Sequence, residues 1–133
     1  MSYLIASVVE IENSDTLHHV KFDCYGHIIS MLSLELPKGI VFGKKVKLVV
    51  KSLQVAIAKD LSDILSCANQ LPMTVHSVDH GELLSHIKLQ FFDITIESII
   101  MRTASEKMNL AEDDKVTSLI EASEIAIYEI LDD

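Results

Sequence analysis

The stretch Leu17-His18-His19-Val20-Lys21-Phe22 returns 67 residues later as Leu84-Ser85-His86-Ile87-Lys88-Leu89. The same offset pairs Val8 with Val75 and Ile11 with Val78. Further along the offset becomes 70: Lys45-Val46 meets Lys115-Val116, Val49-Val50 meets Leu119-Ile120, and Val55-Ala56-Ile57 meets Ile125-Ala126-Ile127. Three additional residues in the second copy account for the change. A repeat sets architecture before any motif does. The chain divides into a first unit over 1–58, a linker over 59–67 and a second unit over 68–133.

Within each unit the pattern is that of strands. Ile94, Ile96, Ser98 and Ile100 alternate with Thr95, Glu97, Ile99 and Met101, and Val46, Leu48 and Val50 alternate with Lys45, Lys47 and Val49. Alternation with period two places one set on each face of a pleated sheet, and Ile and Val suit that surface. Thr103 and Glu106 have capping-box spacing, which predicts a short helix starting at Thr103, with Met108 and Leu110 turned inward. Glu112-Asp113-Asp114 reads as a turn into a strand opening at Lys115. About five strands and one helical turn per unit predict a mainly β chain: two tandem five-stranded OB-like Greek-key barrels, each with a short helical turn. A unit this small is marginal alone, so pairing or oligomer formation is expected.

Composition narrows the function classes. Apolar residues make up 49% of the 133, enough for a core, and Gly and Pro together number 6, which argues against disorder. The longest uncharged stretch, Ile64 to Val78, is interrupted by Asn69, Gln70 and Pro72, so no membrane span is expected. Met1-Ser2-Tyr3-Leu4 has no signal-peptide character, and two cysteines make no disulfide framework, so a cytoplasmic location is expected. The net charge of −9 is uneven: residues 1–60 hold seven Lys and six acids, residues 61–133 four basic residues and fourteen acids. An acidic chain whose one basic cluster is Lys44, Lys45, Lys47 and Lys51 is not expected to bind nucleic acid directly.

Catalytic motifs are lacking: there is no Gly-rich phosphate loop, no Gly-x-Ser-x-Gly and no His-Glu-x-x-His, so an enzyme is not expected. The carboxylate pairs Asp113-Asp114 and Asp132-Asp133 read as a turn and a frayed end. Six histidines raise transition-metal binding as a minor alternative. The spacings Cys24/His27 and His76/His80 do not require convergence on strands, and no protein-ligated metal cation is expected.

The second unit resembles the molybdate-binding Mop domains of the TOBE class. Ser66-Cys67-Ala68-Asn69-Gln70-Leu71 stands where that family has Ser-Ala-Arg-Asn-Gln-Leu. Glu112-Asp113-Asp114-Lys115-Val116-Thr117-Ser118-Leu119-Ile120-Glu121-Ala122-Ser123 is similar to its closing strand, Glu-Gly-Asp-Glu-Val-Thr-Ala-Leu-Ile-Lys-Ala-Thr. Val49-Val50-Lys51-Ser52 matches that strand in the first unit. Over nearly the whole chain the resemblance is to a tandem di-Mop arrangement, as in cytoplasmic molbindins and the ligand-binding half of molybdate-responsive transcription regulators. It implies intracellular binding of molybdate or tungstate for storage, buffering or sensing, at contacts within a homo-oligomer (a dimer or trimer).

Molybdate and tungstate are dianions that need donors and no competing acceptor. Charge-assisted donors to such an ion are stronger than neutral ones. The resemblance implies Lys51 as cation, Ser52 as its neighbouring donor, Ser66 as hydroxyl donor, and the backbone N–H groups of Cys67, Ala68 and Asn69 completing a nest. Two departures stand out. Ala68 replaces an Arg, and Glu121 replaces the second unit's Lys, where a carboxylate repels a dianion. At most one class of site is therefore expected. The alternative is a degenerate di-Mop module acting through oligomerisation or protein docking, with the acidic half as the docking surface.

Overall fold

The computed structural model describes residues 1–131; Asp132-Asp133 lies outside them. The strands follow the repeat. In the first unit these are β1 (Ser2–Ser14), β2 (Leu17–Cys24), β3 (His27–Ser33), β4 (Lys45–Val50) and β5 (Ala56–Ala58). In the second they are β6 (Asn69–His80), β7 (Leu84–Phe91), β8 (Ile94–Met101), β9 (Lys115–Ile120) and β10 (Ile125–Ile130). The 67-residue offset carries β1–β3 onto β6–β8, and the 70-residue offset carries β4 and β5 onto β9 and β10. A single 3₁₀ turn precedes the last strand of each unit, Ser52–Gln54 and Ala122–Glu124. The additional residues lie in α1 (Arg102–Met108), which the first unit replaces with the loop between β3 and β4.

The helix begins differently from the capping-box expectation. Met101 is its N-cap and contributes no side-chain bond, so Thr103 lies inside the helix. Glu106 is occupied by Arg102, whose Nε donates to Oε1 at 2.5 Å across one turn. Leu110 packs in the core and Met108 against it. Asp113 turns at φ 72°, and the Asp114 carboxylate accepts from the Ala111 N–H at 2.9 Å, closing the expected turn.

Each sheet curls into an OB-like barrel. The orders are β10-β4-β1-β2-β3 and β5-β9-β6-β7-β8, and every pairing is antiparallel. The long strands bend at the same repeat position, between Val8 and Glu10 in β1 and between Val75 and Ser77 in β6. Such bulges raise local twist and let a sheet coil. The outer strands β10 and β3 approach each other, as do β5 and β8.

The short last strands are exchanged between the repeats. β5 leaves the first unit and pairs with β9, Ala56 opposite Leu119; β10 leaves the second and pairs with β4, Ala126 opposite Val49. Each barrel therefore draws on both sequence units. The core is correspondingly shared: Phe22, Ile29 and Leu48 belong to one cluster with Leu89, Phe91, Ile96 and the crossover residues Val55 and Ile125. Burying these apolar side chains in one continuous cluster is the main force holding the two barrels together.

Polar contacts related by the same pseudo-two-fold reinforce the joint. The first residue of β6, Asn69, is fully buried, and its amide clasps the edge of β3: Oδ1 accepts from Ser30 N–H at 2.8 Å and Nδ2 donates to Ser30 O at 2.9 Å. Its counterpart Ser2 accepts from Glu97 N–H through Oγ at 2.8 Å. Ser98 Oγ donates to the crossover carbonyl of Val55 at 2.5 Å.

Candidate functional site

The nominated residues fall at the pole where β4 and β9 end. Ser2 opens β1 opposite Val50, so the chain leaving β4 at Lys51 runs beside Met1. Asn69 opens β6 opposite Ile120, so the chain leaving β9 at Glu121 runs beside Ala68. Lys51 is extended (φ −81°, ψ 139°) and exposed, and it forms no ion pair among the described residues. Ser52 opens the 3₁₀ turn and is buried, its Oγ 3.5 Å from the amino nitrogen of Met1.

Ser66 and Ala68 are exposed and Cys67 is half-buried. The Cys67 thiol donates weakly to Asn69 O at 3.6 Å. Burial raises its pKa, and the nearby Glu121 carboxylate adds to the rise. Asn69 is held by its clasp on Ser30, so its side chain is committed to the barrel joint.

Two clefts open at this pole. One, of about 210 Å³, is lined by Met1, Val49, Lys51, Ser123, Glu124 and Ala126. The other, of about 380 Å³, includes Gln54, Cys67, Leu119, Glu121 and Glu124. They are related by the repeat: Val49 corresponds to Leu119, Lys51 to Glu121, Gln54 to Glu124 and Ala56 to Ala126. The first pairs a cation with one carboxylate; the second carries two carboxylates and no lysine.

Lys51 and Ser52 adjoin on the chain leaving β4, and Ser66 to Asn69 on the chain entering β6; Lys51 lines the first cleft and Cys67 the second, while Ser52, Ser66, Ala68 and Asn69 line neither. Ser123 and Glu124 beside Lys51 were not anticipated. They arrive there because β10 is exchanged, and no local pattern in the sequence signals an exchange.

The remaining candidates are quickly placed. Lys45 and Lys47 occupy the outer face of β4, with Lys47 Nζ 5.8 Å from the Tyr3 ring, as a solvated strand face requires. Among the described residues no group of three or more His, Cys, Asp or Glu could hold a metal ion. No described helix is long and apolar enough to cross a membrane.

No protein-family model matches the chain, and no curated protein matches it. Among solved structures the chain is similar to ModG, a cytoplasmic molybdate-binding protein, in a PEG-grown crystal form with molybdate bound. The TM-score is 0.89 at 21% sequence identity, covering 97% of this chain and 95% of that one. The likeness shows a shared fold of two OB-like barrels.

Proposed function

We propose that the chain binds a tetrahedral oxyanion of the molybdate class, molybdate or tungstate, in the cytoplasm, as a store, buffer or sensor. The observation that carries this reading is the agreement in fold, across 97% of the chain, with a cytoplasmic protein crystallised with molybdate. The local chemistry supports it at Lys51, a cation free of ion pairs among the described residues, next to the hydroxyl and N–H of Ser52.

A dianion requires more donors than Lys51 and Ser52 supply, and of the Ser66–Asn69 segment only Cys67 lines a cleft, the second and not that of Lys51. The complete site on this reading needs a second copy, whose Ser66 hydroxyl and Cys67 and Ala68 N–H groups meet the first copy's Lys51, with the buried Asn69 anchoring that segment. This makes a homo-oligomer part of the function. Although Glu124 borders both clefts, Glu121 in place of the first cleft's Lys51 leaves the second without a site of its own, because a carboxylate is acceptor-only toward an ion that carries no proton.

A second reading rests on those same carboxylates: the chain docks on a protein partner and binds no small ligand. Isothermal titration separates the two. Saturable heat with molybdate or tungstate, reduced in Lys51→Ala, supports oxyanion binding. No heat at micromolar protein and millimolar oxyanion, with the oligomer intact, supports docking.

A further inference from the structure

A cleft of about 460 Å³, lined by neither Lys51 nor Glu121, lies over the start of β9 and the β6 residues paired with it. Its floor is a four-residue square on the outer face of the second barrel: Pro72 opposite Thr117 and Thr74 opposite Lys115. Two walls stand on this floor, and both are fastened.

The first wall is the chain just after β5, at Asp60 and Leu61. Its preceding residue, Lys59, is tied by three bonds: Nζ donates to Met108 O at 3.1 Å, to Asn109 O at 3.3 Å and to Asp114 Oδ2 at 3.1 Å. These carbonyls end α1, where a cation is favoured. Asp60 then turns at φ 57° into the cleft rim.

The opposite wall is where the β2–β3 and β7–β8 hairpin tips meet. Phe92 stacks on Tyr25 at 4.6 Å and 18°, and Phe91 meets Phe92 edge-on at 4.9 Å. Tyr25 OH donates to Asp93, and Gln90 Nε2 donates to Phe92 O at 2.7 Å. The Phe92 ring nevertheless remains 56% exposed, and it lines the cleft with His27 and Gln90. An apolar ring that is braced from behind and open in front is a ready stacking surface.

The charges in this cleft are opposite and adjacent. Asp60 lies two residues beyond the paired position Ala58–Thr117, and Lys115 two residues before it on the antiparallel partner, so both reach the same end of the floor. Neither is in an ion pair among the described residues. Thr74, between Lys115 and Gln90 across the sheet, and Thr117, opposite Pro72, add hydroxyls to the floor. The repeat-related face of the first barrel is built otherwise. Its floor is Ile5, Ser7, Lys45 and Lys47, and Ile130 takes the place of Asp60.

We propose that this cleft binds a free amino acid with an aromatic side chain. Its ammonium sits at Asp60, its carboxylate at Lys115 with the Thr74 and Thr117 hydroxyls, and its ring on Phe92. A purely anionic ligand would meet Asp60 and a purely cationic one Lys115, whereas a zwitterion satisfies both. Preorganised walls limit the ordering cost of binding a small ligand.

The chain contains no tryptophan, so L-tryptophan reports on its own binding. Fluorescence anisotropy of L-tryptophan titrated with the full chain is expected to saturate. The acid lacking the amino group and the amine lacking the carboxylate are expected to bind about tenfold or more weakly. Asp60→Asn, which tolerates the left-handed backbone, and Lys115→Met are each expected to weaken L-tryptophan by a similar factor while leaving the thermal midpoint and molybdate titration unchanged. No saturation below about 10 mM overturns the proposal. So does equal binding of either singly charged analogue, or unaltered affinity in both variants.

Discussion

Replacing Asn69 by Ala removes the clasp on Ser30 and nothing else that is polar. Two backbone groups of the β3 edge lose their partners, the N–H at 2.8 Å and the carbonyl at 2.9 Å. Asn69 is fully buried, so the space its amide leaves is closed to bulk water. A buried backbone group left without a partner costs about 1–3 kcal/mol, so the pair costs about 2–6 kcal/mol. At a urea slope of about 2 kcal/mol per M, the unfolding midpoint drops by roughly 1–3 M. Equilibrium unfolding followed by circular dichroism reads this directly.

Two companions sharpen the test. Ser2→Ala removes one bond, to Glu97 N–H, and is expected to cost about 1 kcal/mol. Asn69→Asp keeps the shape but, once ionised, sets a carboxylate against Ser30 O. The neutral acid can still donate there, so the folded pKa is raised above the unfolded one and stability falls as pH rises through the unfolded value. A loss under about 0.5 kcal/mol in Asn69→Ala, or an Asn69→Asp variant insensitive to pH, would refute the assigned role of this contact.

Further outcomes follow from individual groups. Asp114 has a lowered pKa, chiefly because its carboxylate accepts the Ala111 N–H and then because of Lys59. Its stabilising effect is present above the ordinary aspartate value of 3.8 and lost as pH falls through the lowered one. The stability gap between wild type and Asp114→Asn should therefore be open at neutral pH and close in acid, as acid-titrated unfolding curves will show. Burial pushes the Cys24 thiol up to about 11, and Cys67 is raised less, so native thiol labelling should modify Cys67 slowly and Cys24 only after unfolding. Lys51→Ala should weaken oxyanion binding by about 1.5–3 kcal/mol in calorimetry, the scale of a charged hydrogen bond. Glu121→Lys restores the cation that the repeat predicts in the second cleft, and mass spectrometry should then count more bound oxyanion per chain.

Much of the fold was legible because the repeat preserved the alternation of buried and exposed residues. Val46, Leu48 and Val50 are all buried, as are their equivalents Val116, Ser118 and Ile120, and the change of offset marks where α1 is added. The exchange of β5 and β10 was not legible. Ala56 meets Leu119 as Ala126 meets Val49, and these positions are equivalent, so either partner satisfies the same local pattern. The helix starts before Thr103, with Met101 as its N-cap, and Glu106 is bonded to Arg102 instead of reaching back to Thr103 as a capping box requires. In the candidate site, Lys51 could be named from the resemblance of Val49-Val50-Lys51-Ser52 to a closing strand. Glu124 beside it could not, since only the exchanged strand brings it there.

The most direct measurement is the anomalous scattering of molybdenum in crystals of the chain soaked in molybdate. The expected result is a peak within hydrogen-bonding distance of Lys51 Nζ and Ser52, at a contact with the Ser66–Asn69 segment of a second copy, and none beside Glu121 where no Lys51 is near. A peak remote from every Lys51, or none at saturating molybdate, would contradict it.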